Sequence, residues 1–267
     1  KDLGLAQGRQ SGINNATGEY ITFLDADDYV TKDAYEKMYI SAISHKVDIV
    51  ECNTEREGKI IGSKYTGVHG TTQILKDYFL NGDIPSMMWM RLYKRSLFIE
   101  PIFPELYVNN EDIFGFPSLL YRAKDMYFLK EQLHFYTTDN EVSVMNSIKR
   151  NTIDEDKIIQ NRLKTLQAKS HLEKQLGKDV IEKQFAFEFK VYTARLILDF
   201  CLNEFKTLKP KDSLKVALKN TGIPFSEISS CYKSIKYNNK MIEKSLKALG
   251  LKKTVFLFRL LKKFMPS

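Results

Sequence analysis

The chain has 267 residues, of which 43% are hydrophobic and 12% aromatic, with a mean hydropathy of −0.33 and a formal net charge of +8. This composition is that of a globular protein and not of a disordered one. The three cysteines (Cys52, Cys201 and Cys231) stand far apart, without the spacing of a zinc site or a disulfide framework, which indicates a reducing compartment. No apolar run reaches the roughly 20 residues that span a bilayer.

Two regions of opposite charge divide the chain. Residues 1–145 carry 15 Lys and Arg against 21 Asp and Glu, a net charge of −6, whereas residues 146–267 carry 26 against 12, a net charge of +14. From about residue 150, lysine-rich helical patterns replace a mixed pattern. Since regions of opposite sign present different surfaces to partners, the sequence predicts an α/β domain over 1–145 and a basic helical module over 146–267.

The first predicted elements alternate between helix and strand. Residues 5–17 predict a helix that ends at Gly18, and "EYITFL" (19–24) predicts a strand. This strand is too continuously apolar to have one wet face, so we expect it to be central and parallel. A second helix follows the candidate N-cap Thr31, and "VDIVEC" (47–52) predicts the next strand. This order is typical of an α/β sheet.

The middle of the chain continues the mixed pattern. Residues 53–70 predict a loop or an edge hairpin, and residues 71–81 predict a helix. Residues 87–98 predict a strand followed by a helical turn. Residues 109–123 predict a helix that begins at an Asn cap, and residues 126–138 predict two short strands.

Three carboxylates, those of Asp25, Asp27 and Asp28, follow directly after the first strand. Side chains alternate along an extended chain, so Asp25 and Asp27 point the same way. Carboxylates at this end of a parallel strand lie where open α/β sheets bind ligands, and two of them suit a Mg²⁺ or Mn²⁺ ion that also holds a diphosphate. The alternative is a solvated turn with a helix cap. An EF-hand loop does not fit, because Tyr29 and Val30 occupy the positions of an oxygen ligand and a glycine.

The stretch "LGLAQGRQSGINNATGEYITFLDADDYV" (3–30) resembles the middle of a family 2 glycosyltransferase with the GT-A fold. The usual form there is N-x-G-L-x-x-A-R-N-x-G, followed by a G-E-Y-I-x-F-L-D-x-D-D strand. The matching positions are Gly4, Leu5, Arg9, Gly12, Gly18, Glu19, Tyr20, Asp25, Asp27 and Asp28. The departures are Asp2 for the usual Asn, Gly8 for the Ala and Gln10 for the Asn. The resemblance covers residues 1 to about 145.

This resemblance implies an inverting transferase that uses a nucleotide-activated sugar, most simply a UDP-sugar, with Mn²⁺ or Mg²⁺ as its cofactor. It implies that Asp27 is the direct metal ligand, that Asp25 contacts the donor ribose or a metal-bound water, and that Asp28 supports their loop. It places Arg9 near the nucleotide.

A second acidic pair lies in "NNEDIF" (109–114). Inversion at an anomeric carbon requires a base on the acceptor side that takes the proton of the attacking hydroxyl. In the family an E-D pair at a helix start supplies this base, so the resemblance implies that Asp112 is the catalytic base and that Glu111 lies in the acceptor pocket. The alternative is an ordinary helix start, where acidic side chains favour the helix dipole.

The only tryptophan, Trp89, begins "WMRLYKRS", which resembles the family's W-N-K-L-Y-[KR]-R with Met90 for Asn and Arg91 for Lys. The resemblance implies that Trp89 forms a wall of the sugar pocket and that Arg91 lies near the donor phosphates. The alternative for Trp89 is core packing. A late histidine completes the metal site in some relatives, but an unmatched histidine is more often structural, so His134 receives no role.

Two elements of GT-A enzymes, a P-x-Y-N strand and a D-D-x-S loop that bind the nucleotide base, do not occur in the chain. A βαβ unit takes about 30 residues, so about 60–90 residues of the fold are expected to be absent. The sequence therefore predicts an N-terminally truncated GT-A core, Rossmann-like and α/β, followed by an α-helical C-terminal module.

The last segment, residues 244–264, has seven Lys and Arg and no acid, with Leu257, Leu260, Leu261 and Phe264 at helical spacing. A basic amphipathic helix is typical of a protein that binds an anionic membrane surface. The alternative is a helix packed on its own domain with a solvated basic face. Nucleic acid is not expected as a partner, because no RNA- or DNA-binding motif is present.

These patterns favour a glycosyltransferase that adds a sugar to a glycan or lipid-linked acceptor in surface polysaccharide synthesis. We expect it in the cytoplasm, or peripheral on the inner membrane face. One rival is a non-catalytic, membrane-associated module of similar fold, which predicts no sugar turnover. The other is a phosphohydrolase with Asp25 as nucleophile. Tyr29 departs from that enzyme's D-x-D-x-Thr/Val pattern, and release of phosphate from sugar phosphates would reveal it.

Overall fold

A computed structural model describes residues 4–82, 84–104, 110–138, 163–203, 210–236 and 240–262. The chain divides into two compact units, Lys1–Leu75 with Ile84–Lys157, and Lys76–Asp83 with Ile158–Ser267. The predicted domain boundary between residues 145 and 146 lies outside the described residues. Residues 76–83 belong to the second unit, and no pattern in the sequence indicated this.

The first unit is a mixed sheet with helices. Its elements are α1 (Gly4–Asn15), β1 (Tyr20–Thr22), β2 (Tyr29–Val30), α2 (Ala34–His45), β3 (Ile49–Arg56), β4 (Lys59–Ile61), β5 (Gly67–Gly70), α3 (Thr71–Asn81), β6 (Arg91–Lys94), α4 (Asp112–Arg122) and β7 (Asp125–Phe135). The strand order is β1-β6-β3-β7-β2, with β4 on β3 and β5 on β7. Only β3 and β7 pair in parallel, and the other described pairs are antiparallel.

The first strand pairs differently from its prediction. Strand β1 lies at one end of the described strand order and pairs with β6 antiparallel, whereas a parallel neighbour was expected. Aromatic contacts cover the apolar run around this strand. The Phe23 ring contacts the Tyr93 ring edge-on at 6.1 Å between centroids, and the Tyr20 ring contacts the Tyr39 ring at 5.7 Å. The central strand is β3.

A compact apolar core fixes β3 against α2. Val50 and Cys52 of β3 are 0% and 3% exposed, and Met38 and Ala42 on the inner face of α2 are 3% and 1% exposed. Helix α2 ends at Lys46, whose left-handed backbone (φ 54°) directs its N–H to the last turn and leads the chain into β3. Each buried aliphatic side chain of this kind stabilises the fold by about 1.5–3 kcal/mol.

Strand β7 replaces the two short strands expected over residues 126–138. It runs through the polar stretch around Lys130 and Glu131 with a shift in its register against β3, which keeps the strand continuous. This irregularity explains why polar residues interrupt the apolar pattern without ending the strand. As a result, His134 and Phe135 pair with β2, the short strand after the acidic loop.

The second unit is helical in its described part. Its helices are α5 (Ala168–Leu176), α6 (Lys178–Gln184), α7 (Ala186–Asn203), α8 (Pro210–Thr221), α9 (Phe225–Cys231) and α10 (Lys240–Lys262). The buried face of α7 includes Val191, Ala194 and Ile197, all fully buried. Gly250 (φ 77°, ψ 169°) kinks α10. Among the described helices, none is long and apolar enough to cross a bilayer.

Candidate active site

One buried guanidinium connects the two acidic groups that the sequence singled out. Arg9 Nη2 donates to Asp25 Oδ1 at 2.8 Å, and Nη1 donates to Asp112 Oδ1 at 2.7 Å and to Glu111 Oε1. The residues come from different parts of the fold, since Arg9 lies in α1, Asp25 follows β1, and Glu111 and Asp112 begin α4. The structure therefore brings the D-x-D loop and the E-D pair to one place.

Helix α1 holds Arg9 in this position. Ala6, Arg9 and Ile13 recur at helical spacing and form its buried face, and Arg9 is only 8% exposed. Two glutamines fix the helix to the segment before α4: Gln7 Nε2 donates to the Pro104 carbonyl at 3.0 Å, and Gln10 Oε1 accepts from the Ile102 N–H at 3.3 Å. Gln10, a departure from the family pattern, thus serves a packing role here.

The cluster places three carboxyl groups around one cation. Burial raises the pKa of Glu111 to about 7, and the Asp112 charge adds to this rise while Arg9 opposes it. Burial also raises the pKa of Asp112, again against the effect of Arg9. A raised pKa makes a carboxylate a better proton acceptor near neutral pH, which is what a general base requires.

The third carboxylate of the loop, Asp28, points away from Arg9 toward the end of β7. Its Oδ1 accepts from the Thr137 N–H at 2.9 Å, and its Oδ2 lies 3.5 Å from His134 Nε2. Both side chains are 1% exposed, and neither of these facing atoms has a hydrogen-bond partner. Burial raises the pKa of Asp28 to about 6 and lowers that of His134 to about 4. Asp28 thus ties the acidic loop to β7.

The acidic loop offers ligands that fit Mg²⁺ or Mn²⁺. The Asp25 side chain is 29% exposed and Asp27 is half-buried, so both have exposed surface. The unpartnered Asp28 Oδ2 and His134 Nε2 lie at the same loop and are atom types that bind such ions. Among the described residues, no three His, Cys, Asp or Glu side chains are placed so that together they could hold a metal ion. Mg²⁺ sites commonly use one or two carboxylates completed by water and substrate phosphate, so the residues fit this ion.

The first part of the chain matches a known protein family. Residues 1–100, which include Arg9 and the acidic loop, match the family described as Glycosyl transferase family 2. Over these residues the chain is similar to family 2 glycosyltransferases.

Several curated proteins that this chain resembles are glycosyltransferases by name. Glycosyltransferase GlyA of Streptococcus pneumoniae is 28% identical over 146 residues, which are 48% of this chain and 21% of the relative. Putative glycosyltransferase EpsH of Bacillus subtilis is 29% identical over 150 residues, 51% and 42% of the two chains. Cholesterol galactosyltransferase of Borreliella burgdorferi is 24% identical over 181 residues, 62% and 50%. The chain thus matches from a fifth to a half of these relatives' length.

Solved structures that superpose on this chain show its fold. S. aureus TarS 1–349 in complex with UDP-GlcNAc superposes with a TM-score of 0.61 at 14% identity, over 98% of this chain and 72% of that one. The same protein in complex with UDP gives 0.57 at 12% identity, over 98% and 71%. The chain therefore has a GT-A fold with a helical C-terminal part, as the sequence predicted.

Trp89 lies near the acidic loop but is largely covered. It is 7% exposed, and its ring stacks on the His134 ring with centroids 4.2 Å apart and planes 19° apart. The Tyr136 ring lies 5.8 Å from it. The predicted role of Trp89 in the sugar pocket remains a prediction, and the structure adds that Trp89 positions His134.

Arg91 has a different environment from the predicted one. It is fully buried, its guanidinium lies 3.7 Å from the Phe116 ring centroid, and it donates to Glu51 and to the Pro85 carbonyl. Glu51 and Arg91 are opposite each other on β3 and β6. Because Arg91 has no exposed surface, it cannot reach a donor phosphate in this structure, so we withdraw that role. Glu51 and Arg91 each interrupt an apolar strand with a charge of opposite sign, and this pattern could have indicated a buried ion pair.

Three residues near the site were missed or left without a role by sequence reasoning. His134, Tyr136 and Thr137 all contact the acidic loop or Trp89. They lie more than 100 residues after that loop, and only the β2–β7 pairing brings them back to it. No local pattern encodes such a contact.

Proposed function

We propose that this protein is an inverting, metal-dependent glycosyltransferase that moves a sugar from a nucleotide-diphosphate sugar to a glycan or lipid-linked acceptor in surface polysaccharide synthesis. The observation that carries the proposal is the contact of Arg9 with both Asp25 and the Glu111–Asp112 pair. A transferase needs its donor-side acids and its acceptor-side base within one substrate's reach. Complexes of TarS with UDP-GlcNAc and with UDP support a UDP-sugar as donor.

Each acidic residue receives a role in this mechanism. Asp27 and Asp25 would hold Mn²⁺ or Mg²⁺, which would neutralise charge on the diphosphate. Asp28 fixes their loop through the Thr137 N–H. Asp112 accepts the proton of the acceptor hydroxyl, and Glu111 lies beside it as an acceptor-side group. Arg9 is the positive charge that keeps the Asp112 and Asp25 carboxylates close to each other.

The chemical step is a single displacement. The acceptor oxygen forms a bond to the anomeric carbon from the face opposite the diphosphate, while the bond from that carbon to the diphosphate oxygen breaks and the nucleotide diphosphate leaves. The proton of the acceptor hydroxyl passes to Asp112 Oδ2, since Arg9 binds Oδ1. Attack from the opposite face inverts the configuration at that carbon.

UDP release from a panel of UDP-sugars, with and without Mn²⁺, tests this function. We expect Mn²⁺-dependent release from at least one donor, strongly reduced by Asp112→Asn. If UDP release stays at background with every donor and acceptor fraction, the rival of a non-catalytic module gains support. If phosphate is released from sugar phosphates instead, the phosphohydrolase is correct.

We also propose that the helical unit binds an anionic membrane surface through α10, which would place the protein at the inner membrane face. Of the predicted apolar stripe, the structure describes the side chain of Leu257, which is half-buried, but not the side chains of residues 260, 261 and 264. Next to Leu257, the Phe256 side chain is 60% exposed, and Lys252 and Lys253 in the preceding turn are also exposed. Phe256 flanked by lysines has the chemistry of such a contact.

A further inference from the structure

Arg56, at the end of β3, holds a guanidinium that the mechanism above does not use. Its Cζ lies 4.9 Å from the centroid of the Tyr136 ring, over the ring face. Among the described residues, the Arg56 side chain makes no hydrogen bond and no ion pair with a carboxylate, and this stacking is its one ring contact. The other arginines near the candidate site, Arg9 and Arg91, are both held by carboxylates.

The hairpin that carries Arg56 holds it in a defined place. Arg56 pairs with Lys59 across a two-residue turn, whose residues Glu57 and Gly58 both have positive φ (53° and 74°). This is the tight turn that matches the twist of paired strands. The Glu55 carboxylate accepts from the Gly58 N–H, and the Glu55 carbonyl accepts from the Tyr136 N–H at 2.9 Å. Arg56 and its aromatic partner are therefore joined through the backbone.

Tyr136 places this arginine next to the candidate active site. Its ring lies 5.8 Å from the Trp89 ring, and the next residue, Thr137, donates its N–H to Asp28. Burial raises the pKa of Tyr136; the carboxylates of Asp28, Asp27 and Asp25 add to this rise, while Arg56 opposes it. The cation thus stands at the margin of a site that otherwise carries negative charge.

A stacked guanidinium is suited to bind an anion. Stacking uses the face of the group and leaves its N–H edge free for two parallel hydrogen bonds to a phosphate or carboxylate. We propose that Arg56 and Tyr136 form an anion subsite that binds a phosphate or carboxylate group of a substrate at the margin of the acidic loop. For the identity of that substrate the inference rests on the proposed function, which offers two sources: the donor diphosphate, or an anionic group on the acceptor.

Single-tryptophan fluorescence can test the subsite in the whole chain, because Trp89 is the only tryptophan and lies beside Tyr136. UDP with Mn²⁺ and inorganic phosphate without metal are titrated separately at constant ionic strength. The variants are Arg56→Ala and Arg56→Gln, with Arg56→Lys to keep the charge. Lys59→Ala is the matched control, since it removes a positive charge from the same hairpin without touching Tyr136. Thermal unfolding of every variant confirms that the fold is retained.

The two probes distinguish the sources of the anion. We expect Arg56→Ala and Arg56→Gln to weaken binding about tenfold or more, the scale of a lost charged hydrogen bond, while Arg56→Lys loses less and Lys59→Ala binds as the wild type does. Weaker UDP binding assigns the subsite to the donor diphosphate, and weaker phosphate binding alone assigns it to the acceptor.

Arg56-dependent phosphate binding in a protein that does not bind UDP would uphold the subsite while contradicting the proposed donor. Equal affinities for both probes in Arg56→Ala and Lys59→Ala, or no binding of either probe by the wild type, would overturn the inference.

Discussion

Replacing Arg9 by Gln should destabilise the first unit and should do so in a pH-dependent way. The change leaves the carboxylates of Asp25, Glu111 and Asp112 without their shared cation. Removing one partner of a buried ion pair costs about 3–5 kcal/mol. Asp25 and Asp112 keep 29% and 18% side-chain exposure, so water screens part of this loss and we take about 3 kcal/mol. For a unit of this size, that lowers Tm by about 6–12 °C.

The pH dependence follows from the pKa of Glu111, about 7 in the folded protein against 4.5 as its ordinary value. Between these pH values the folded state binds more protons than the unfolded state, so the free energy of unfolding falls as pH rises. The full cost of ionising buried Glu111 is reached above about pH 7. Loss of Arg9 raises the folded pKa values of the cluster further and deepens this penalty. The loss of Tm should therefore be largest at pH 8 and smallest at pH 5.

Differential scanning calorimetry at pH 5 and pH 8 measures both effects. Arg95→Gln is the matched control, because the exposed Arg95 donates to the Gly18 carbonyl and pairs with no carboxylate among the described residues. Its loss of Tm should be small and equal at the two pH values. An Arg9→Gln variant that behaves like this control would refute the account of Arg9 as the counter-charge of the site.

Three further variants test the roles of single residues. Asp27→Ala should remove Mn²⁺-dependent UDP affinity in calorimetric titration without lowering Tm, and unchanged affinity would remove Asp27 from the metal site. Asp112→Asn should leave UDP affinity intact and lower turnover about 10²-fold or more, the scale of a lost general base; activity within a few-fold of wild type would place the base elsewhere. Phe256→Ser with Lys253→Glu should reduce co-sedimentation with anionic vesicles, since each basic residue at the surface contributes at most about 1 kcal/mol and Phe256 inserts. Phe187→Ser, at a similarly exposed position of the helical unit, is its control, and equal sedimentation of both would exclude α10 as the membrane contact.

The vesicle test uses substitutions because deletion of the C-terminal helix would damage the core. Leu246, Leu251 and Val255 are 0–2% exposed and pack inside the helical unit. The sequence predicted one apolar stripe on a basic helix. It could not show which apolar residues the unit itself buries, since that depends on contacts with other helices.

Local patterns predicted the helices and strands well where a local cause exists. Thr71–Asn81 forms a helix at its predicted bounds. The first helix ends at Asn15, three residues before the predicted cap Gly18, and Gly18 does not have a positive φ. The sequence did not show that β1 pairs with β6 in the antiparallel direction. A pattern of burial does not specify the direction of a neighbouring strand.

The candidate site shows the same limit. The family motif indicated which residues carry chemistry, but Arg9 and Glu111 are 102 residues apart, and their contact depends on how α1 and α4 pack. The motif likewise assigned Arg91 to a ligand by analogy with a lysine, while its partner Glu51 was visible only as an acid in another strand. Non-local pairing decides which charged residues are internal and which face a substrate.

The configuration of the first sugar product is the most direct measurement of inversion at this site. With water in place of the acceptor, hydrolysis of a UDP-α-sugar can be followed by proton NMR in the presence of Mn²⁺ without knowing the acceptor. An inverting site releases the β-anomer of the free sugar first, before mutarotation, and Asp112→Asn should suppress this release. First appearance of the α-anomer, or no Mn²⁺-dependent release of UDP from any UDP-sugar, would contradict an inverting transferase at the site that Arg9 holds together.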